Sequence, residues 1–335
     1  MSARVARREL IAMLGGAAAA PSLLLPFPAG AQQPAMPVIG YLNSESSESW
    51  REEIHAFHQG LADAGYVEGR NVAIEYRWAE SHNDRLPALA AELVRREVSV
   101  IAAPGSTAAA LAAKAATETI PIVFLVGADP VELGLVPSLN RPDRNLTGVG
   151  ALAVGVVAKR LQLLHELVPA TDIAFLRNPT NPYYAALETR ELQAAASLVG
   201  VHLLLLNASS PRELEAAFAS LVAQRAGALL LGTDPFFITE RNQLVALAKR
   251  YGVPAIYPFR EDTVAGGLMS YGASNREGFR MVGSYTGRIL NGNKPADLPV
   301  QQITKIEMAI NLKTAKALGI TFPLTFLGRA DEAIE

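Results

Sequence analysis

Residues 98–112, VSVIAAPGSTAAALA, constrain this chain more than any other stretch. An apolar run of strand length meets a Pro104-Gly105 turn, after which Ser106 and Thr107 open an alanine-rich segment that predicts a helix. In a parallel α/β sheet such a turn lies outside the carboxyl end of a strand, where helix-terminal N–H groups face a crevice.

The same unit recurs along the chain. Apolar strands are predicted at 37–42, 71–78, 120–126, 172–176, 201–206, 228–231 and 253–257, separated by segments of helical spacing such as 50–64, 85–96, 185–199, 211–226 and 239–251. Gly148-Val149-Gly150 reads as a passage out of a first lobe, 266–271 as a strand returning to it, and 298–310 as an extended segment crossing once more. Alternation of this kind implies parallel sheets with right-handed crossovers. A chain of 335 residues also exceeds the size at which one core splits into two. The expected fold class is therefore α/β, with two Rossmann-like lobes: 36–148 plus 266–299, and 149–265 plus 300–335.

Residues 1–31 read as an export signal: Arg4, Arg7 and Arg8 precede a mostly apolar run, and Ala29-Gly30-Ala31 supplies small residues for cleavage. The Arg7-Arg8 pair also suits a twin-arginine signal. Cleavage would remove three arginines and one glutamate, taking the net charge from −2 to −4. No basic cluster follows, so nucleic acid is not an expected partner. The absence of cysteine excludes a disulfide framework, a thiolate nucleophile and a Cys-linked lipid anchor.

Several residues could carry chemistry. Ser106 and Thr107, with the first helical amides, could hold an anion, although capping explains Ser106 equally well. Asp129 and Asp234 each precede a proline directly after an apolar strand, where a carboxylate either caps a turn or accepts hydrogen bonds from an ammonium group. Asn178 has the same two readings. Tyr41, Phe236 and Tyr257 are the aromatics placed to face a crevice, whereas Trp50 and Trp78 read as scaffold. No nucleotide loop, GxSxG elbow or metal-ligand spacing is present, so neither a cofactor, a metal nor an enzymatic activity is expected.

The segments PVIGYL (37–42), AGYVEGRNV (64–72), DPV (129–131), NLTGV (145–149), MSYG (269–272) and INLKTAKALG (310–319), with RRELIAMLGG at 7–16, together span nearly the whole chain. In them the sequence resembles the ABC transporter substrate-binding proteins of tryptophan/tyrosine type. The resemblance implies a type I periplasmic-binding fold with three crossovers, binding a small solute between lobes and delivering it to a membrane permease and its ATPase. It implies a carboxylate subsite at Ser106 and Thr107 and an amine partner at Asp234. Tyr41, Asn43, Asp129 and Tyr271 would line the first lobe, and Asn178 and Tyr257 the second. The expected protein is a monomeric periplasmic receptor for an amino acid or an aromatic or carboxylic acid, not embedded in a membrane. The alternatives are a ligand sensor for a signalling partner or an exported hydrolase.

Overall fold

The computed structural model describes residues 36–335 apart from positions 143 and 152; the expected signal at 1–31 lies outside the described residues. In chain order the elements begin with β1 (Val38–Asn43), α1 (Arg51–Asp63), β2 (Ala73–Trp78), α2 (Leu86–Arg95), β3 (Val100–Pro104), α3 (Thr107–Ala116), β4 (Ile122–Val126) and β5 (Leu146–Gly150). There follow α4 (Val157–Leu167), β6 (Asp172–Arg177), α5 (Pro182–Val199), β7 (His202–Asn207), α6 (Pro211–Ala223), β8 (Ala228–Leu231), α7 (Pro235–Thr239), α8 (Arg241–Tyr251), β9 (Ala255–Tyr257), α9 (Arg260–Val264) and β10 (Met269–Ala273). Last come α10 (Asn275–Leu290), β11 (Gln301–Gln302), β12 (Ile306–Asn311), α11 (Leu312–Ala317), α12 (Leu324–Leu327) and β13 (Glu332–Ile334).

Two sheets result. The first is parallel throughout, in the order β11-β5-β4-β3-β1-β2. The second runs β13-β12-β10-β9-β8-β6-β7, with β12 antiparallel to β10 and every other pair parallel. Strands β3, β4 and β8 read VIAAP, IVFLV and ALLL and are buried at every position. That is the signature of strands covered by helices on both faces. Cores rich in Leu, Val and aromatic side chains lie on both sides of each sheet.

The chain passes between the sheets three times: after β5, between β10 and α10, and between β11 and β12. The last passage falls inside the extended segment expected at 298–310. Two boundaries differ from the sequence reading. The strand expected to return to the first lobe at 266–271 is β10, which belongs to the second sheet; Met269 is buried in one cluster with Met308 and Ile310 of β12. The return is made instead by helix α10, which packs against α1 and the first sheet. Likewise Gly148, Val149 and Gly150 are not a passage but the end of β5, an interior strand.

Glycine explains both the misreading and the packing. A Cβ at Gly148 would lie 2.2 Å from the Phe124 carbonyl oxygen, so only glycine lets β4 and β5 approach this closely. Helices α1 and α10, remote in sequence, meet backbone to backbone by the same means. A Cβ at Gly60 would lie 1.9 Å from the Arg280 carbonyl, and one at Gly283 would lie 2.1 Å from that of Phe57. Among the described residues no helix is long and apolar enough to cross a membrane.

Candidate functional site

The carboxyl ends of β1, β3 and β4 form one wall. Asn43 closes β1 by donating to the Pro104 carbonyl at 2.9 Å, while its Oδ1 accepts the Glu45 amide at 3.0 Å. Asn43 thereby fixes the loop that carries Glu45. Ser106 is the N-cap of α3 and accepts the Ala109 amide at 3.2 Å. Thr107 stands at the first helical position, and Gly127 follows β4.

The facing wall is built on β8. Its four apolar residues are followed by Gly232-Thr233-Asp234-Pro235, with proline at the first position of α7 and Asp234 as its cap. The Asp234 carboxylate accepts the Phe236 amide at 3.0 Å, Asn178 Nδ2 at 2.9 Å and Asn181 Nδ2 at 2.8 Å. Burial nevertheless dominates. With Asp234 only 3% exposed, loss of solvation raises its pKa to about 7, the three donors opposing the shift and the negative charge of Glu45 adding to it.

Behind this wall Arg160 and Glu188 form a buried ion pair at 2.9 Å. Arg160 also donates to the Leu231 carbonyl, the Ala153 carbonyl and Thr233 Oγ1, and Glu188 accepts the Thr233 amide at 2.9 Å. Burial pushes the Glu188 carboxyl up, opposed by the adjacent guanidinium. The pair pins the end of β8 and hence the position of Asp234.

The two walls are closed on one another. Thr107 Oγ1 donates at 3.3 Å to the hydroxyl oxygen of Tyr184 in α5, which also accepts the Gly127 amide at 2.6 Å. Thr239 of α7 donates to Glu45 Oε2 at 3.1 Å and accepts Trp50 Nε1 at 3.4 Å. Between the walls lie two adjoining spaces. One, about 30 Å³, is mainly apolar and bounded by Leu125, Ala151, Tyr184, Ile238 and Phe259. The other, about 20 Å³, is polar and bounded by Glu45, Ser81, Ser106, Asn178, Asn181 and Phe236. Asp234 borders both.

Of the residues singled out in the sequence, Ser106, Asn178, Asp234 and Phe236 come together around the polar space, and Thr107 meets the adjoining apolar space through its hydrogen bond to Tyr184. Asn43 acts beneath them as a brace. Four others lie elsewhere. Tyr41 is buried in the first core against Phe57, Tyr76 and Trp78, because it lies two residues short of the carboxyl end of β1 and its side chain enters the core on one face of the sheet. Asp129 is exposed and caps its turn, accepting the Val131 amide at 2.7 Å. Tyr257 is buried in the second lobe and borders a groove lined by α8, α11 and the chain end. Tyr271 follows β10 into the second sheet rather than the first lobe. Conversely, Tyr184, Asn181, Glu45 and Thr239 were not foreseen. Asn181-Pro182 just after β6 is the signal that could have located the first two, since it repeats the polar-residue-then-proline pattern of Asp234-Pro235.

Residues 40–334 match the family described as ABC transporter substrate binding protein. A tyrosine-binding protein of Clostridioides difficile strain R20291 is 28% identical over 263 residues, covering 78% of this chain and 75% of the relative. Among solved structures, a conserved domain protein from Vibrio cholerae aligns with a TM-score of 0.80 at 25% identity over 89% of this chain and 99% of the other. An ABC domain from Streptococcus pneumoniae in complex with L-Trp aligns at 0.78 and 24% identity, with the same coverage. A ligand-free, open substrate-binding protein from Clostridium difficile aligns at 0.62 and 24%, again with that coverage. The fold is that of the type I periplasmic-binding proteins, and the chain belongs to the ABC transporter substrate-binding protein family.

Proposed function

We propose that this protein is the periplasmic receptor of an ABC importer and takes an amino acid with an aromatic or other apolar side chain between its lobes, for delivery to a permease and its ATPase. The observation that carries the reading is the position of Asp234, whose carboxylate borders an apolar space on one side and a polar one on the other. An α-amino group paired with Asp234 would direct its side chain toward Leu125, Ile238 and Phe259 and its carboxylate toward the amides and hydroxyls of the first lobe. The tyrosine-binding relative and the L-Trp complex support the same ligand class.

The two spaces are too small for such a solute as the walls stand, so entry requires the lobes to part. Closure would then remove the ammonium–carboxylate contact from water and strengthen it. The test is calorimetry of residues 32–335 against L-tryptophan, L-tyrosine, L-phenylalanine and aliphatic amino acids. Binding of an aromatic amino acid, weakened by about 2–4 kcal/mol in Asp234→Ala, supports the reading. Failure to bind any of them, or unchanged affinity in the variant, overturns it.

A further inference from the structure

The hydroxyl of Tyr184 holds two first-lobe donors at once, although α5, which carries it, belongs to the second lobe. The Gly127 amide reaches its oxygen at 2.6 Å and Thr107 Oγ1 at 3.3 Å. Two donors converging on one oxygen at the carboxyl ends of neighbouring parallel strands form a cradle suited to an oxygen acceptor, and an anionic oxygen fills such a cradle better than a neutral phenol. Burial raises the Tyr184 pKa to about 12, so the phenol stays neutral at physiological pH.

Gly127 is required by this arrangement. A Cβ there would lie 2.7 Å from the Tyr184 hydroxyl oxygen and 3.0 Å from the Ala153 Cβ, so any larger residue would bar the approach of an oxygen to the amide. Tyr184 also borders the apolar space that Asp234 closes from the other side. Gly127 and Tyr184 line the same space as Asp234, so a solute whose amine meets Asp234 can present its carboxylate to the donors that Tyr184 engages.

We propose that Tyr184 is a built-in competitor for the solute: its hydroxyl occupies the position of a carboxylate oxygen, holds the lobes together through Gly127 and Thr107, and is displaced when a carboxylate enters. The proposal rests on the amino-acid reading above and adds to it the residue that sets the threshold for binding. Affinity is then a difference between two closed arrangements, one sealed by the tyrosine and one by the solute.

Tyr184→Phe removes the competing oxygen and keeps the ring, so the wall of the apolar space is retained. In calorimetry the variant is expected to bind L-tryptophan or L-tyrosine roughly two- to tenfold more tightly, the weight of one net hydrogen bond. Tryptamine and tyramine, which lack the carboxylate, are expected to show no gain. Unchanged or weaker amino-acid binding in Tyr184→Phe overturns the proposal, as does an equal gain for the two amines. If the unsubstituted protein binds neither amino acid, the amino-acid reading itself has failed and the proposal falls with it. Binding by the unsubstituted protein without a gain in the variant removes the proposal alone.

Discussion

Arg160 and Glu188 face one another at 2.9 Å with each side chain 1% exposed, and between them they bind the end of the strand that presents Asp234. A buried ion pair gains little over an apolar pair, yet removing one member leaves the other charged and unsolvated. Glu188→Ala should therefore cost about 3–5 kcal/mol of folding stability, which urea unfolding would measure. A loss below about 1 kcal/mol, the range of an exposed pair, would show that water reaches Arg160.

The raised pKa of Asp234 has consequences for both binding and folding. Only the ionised carboxylate pairs with an ammonium group, so affinity for an amine-bearing solute should level off above pH 7 and fall roughly tenfold per unit below it. Binding near pH 6 should release a proton, seen as a buffer-dependent enthalpy. For folding the sign is the reverse. The unfolded chain ionises near the ordinary value of 3.8 and the folded chain near 7, so between these limits the folded state binds more protons and this group's contribution to stability falls as pH rises. Asp262, raised by burial to about 6 despite its contact with Arg241, acts in the same direction. A pH-independent affinity from 5 to 8, or the same dependence in Asp234→Asn, would contradict the assignment.

Ser106 combines two roles that the sequence left undivided, and its observed hydrogen bond makes it the cap of α3. Ser106→Ala should lower stability by about 1 kcal/mol in urea. Solute affinity should change far less than in Asp234→Ala, since the backbone amides at the start of α3 remain. A large loss of affinity with unchanged stability would assign the hydroxyl to the solute instead.

Much of the architecture could be read from periodicity, because β3, β4 and β8 are uninterrupted apolar runs ending in turn residues. The failures arose where one local signal had two causes. Gly148 marks a close strand–strand approach and not a break, and β10 sits in the second sheet between β9, the strand just before it, and β12, a partner more than 30 residues later. Site residues at strand ends followed the same rule. Asp129 and Asp234 have like neighbours in sequence, but only Asp234 is covered by the opposite lobe and held by two asparagines. Asn181-Pro182 marks the turn that leads to Tyr184, but the role of its hydroxyl depends on Gly127, 57 residues earlier, which no local pattern shows.

Tyr41 lies two residues before the end of β1 and so falls in the core and not at the cleft. Its ring packs 5.4 Å from Phe57 and 5.2 Å from Trp78, and its buried hydroxyl has no hydrogen-bond partner among the described residues. A buried hydroxyl without a partner opposes folding, so Tyr41→Phe should leave stability unchanged or raise it by up to about 1 kcal/mol. Tyr41→Ala removes the ring from the centre of an aromatic cluster and should cost about 3–5 kcal/mol. Neither change should alter the ratio of affinities for aromatic and aliphatic solutes, because Tyr41 borders neither interlobe space. Urea unfolding of both variants, paired with calorimetry on one aromatic and one aliphatic amino acid, would check this. A selective loss of aromatic binding in Tyr41→Phe would mean that opening of the lobes brings β1 to the solute.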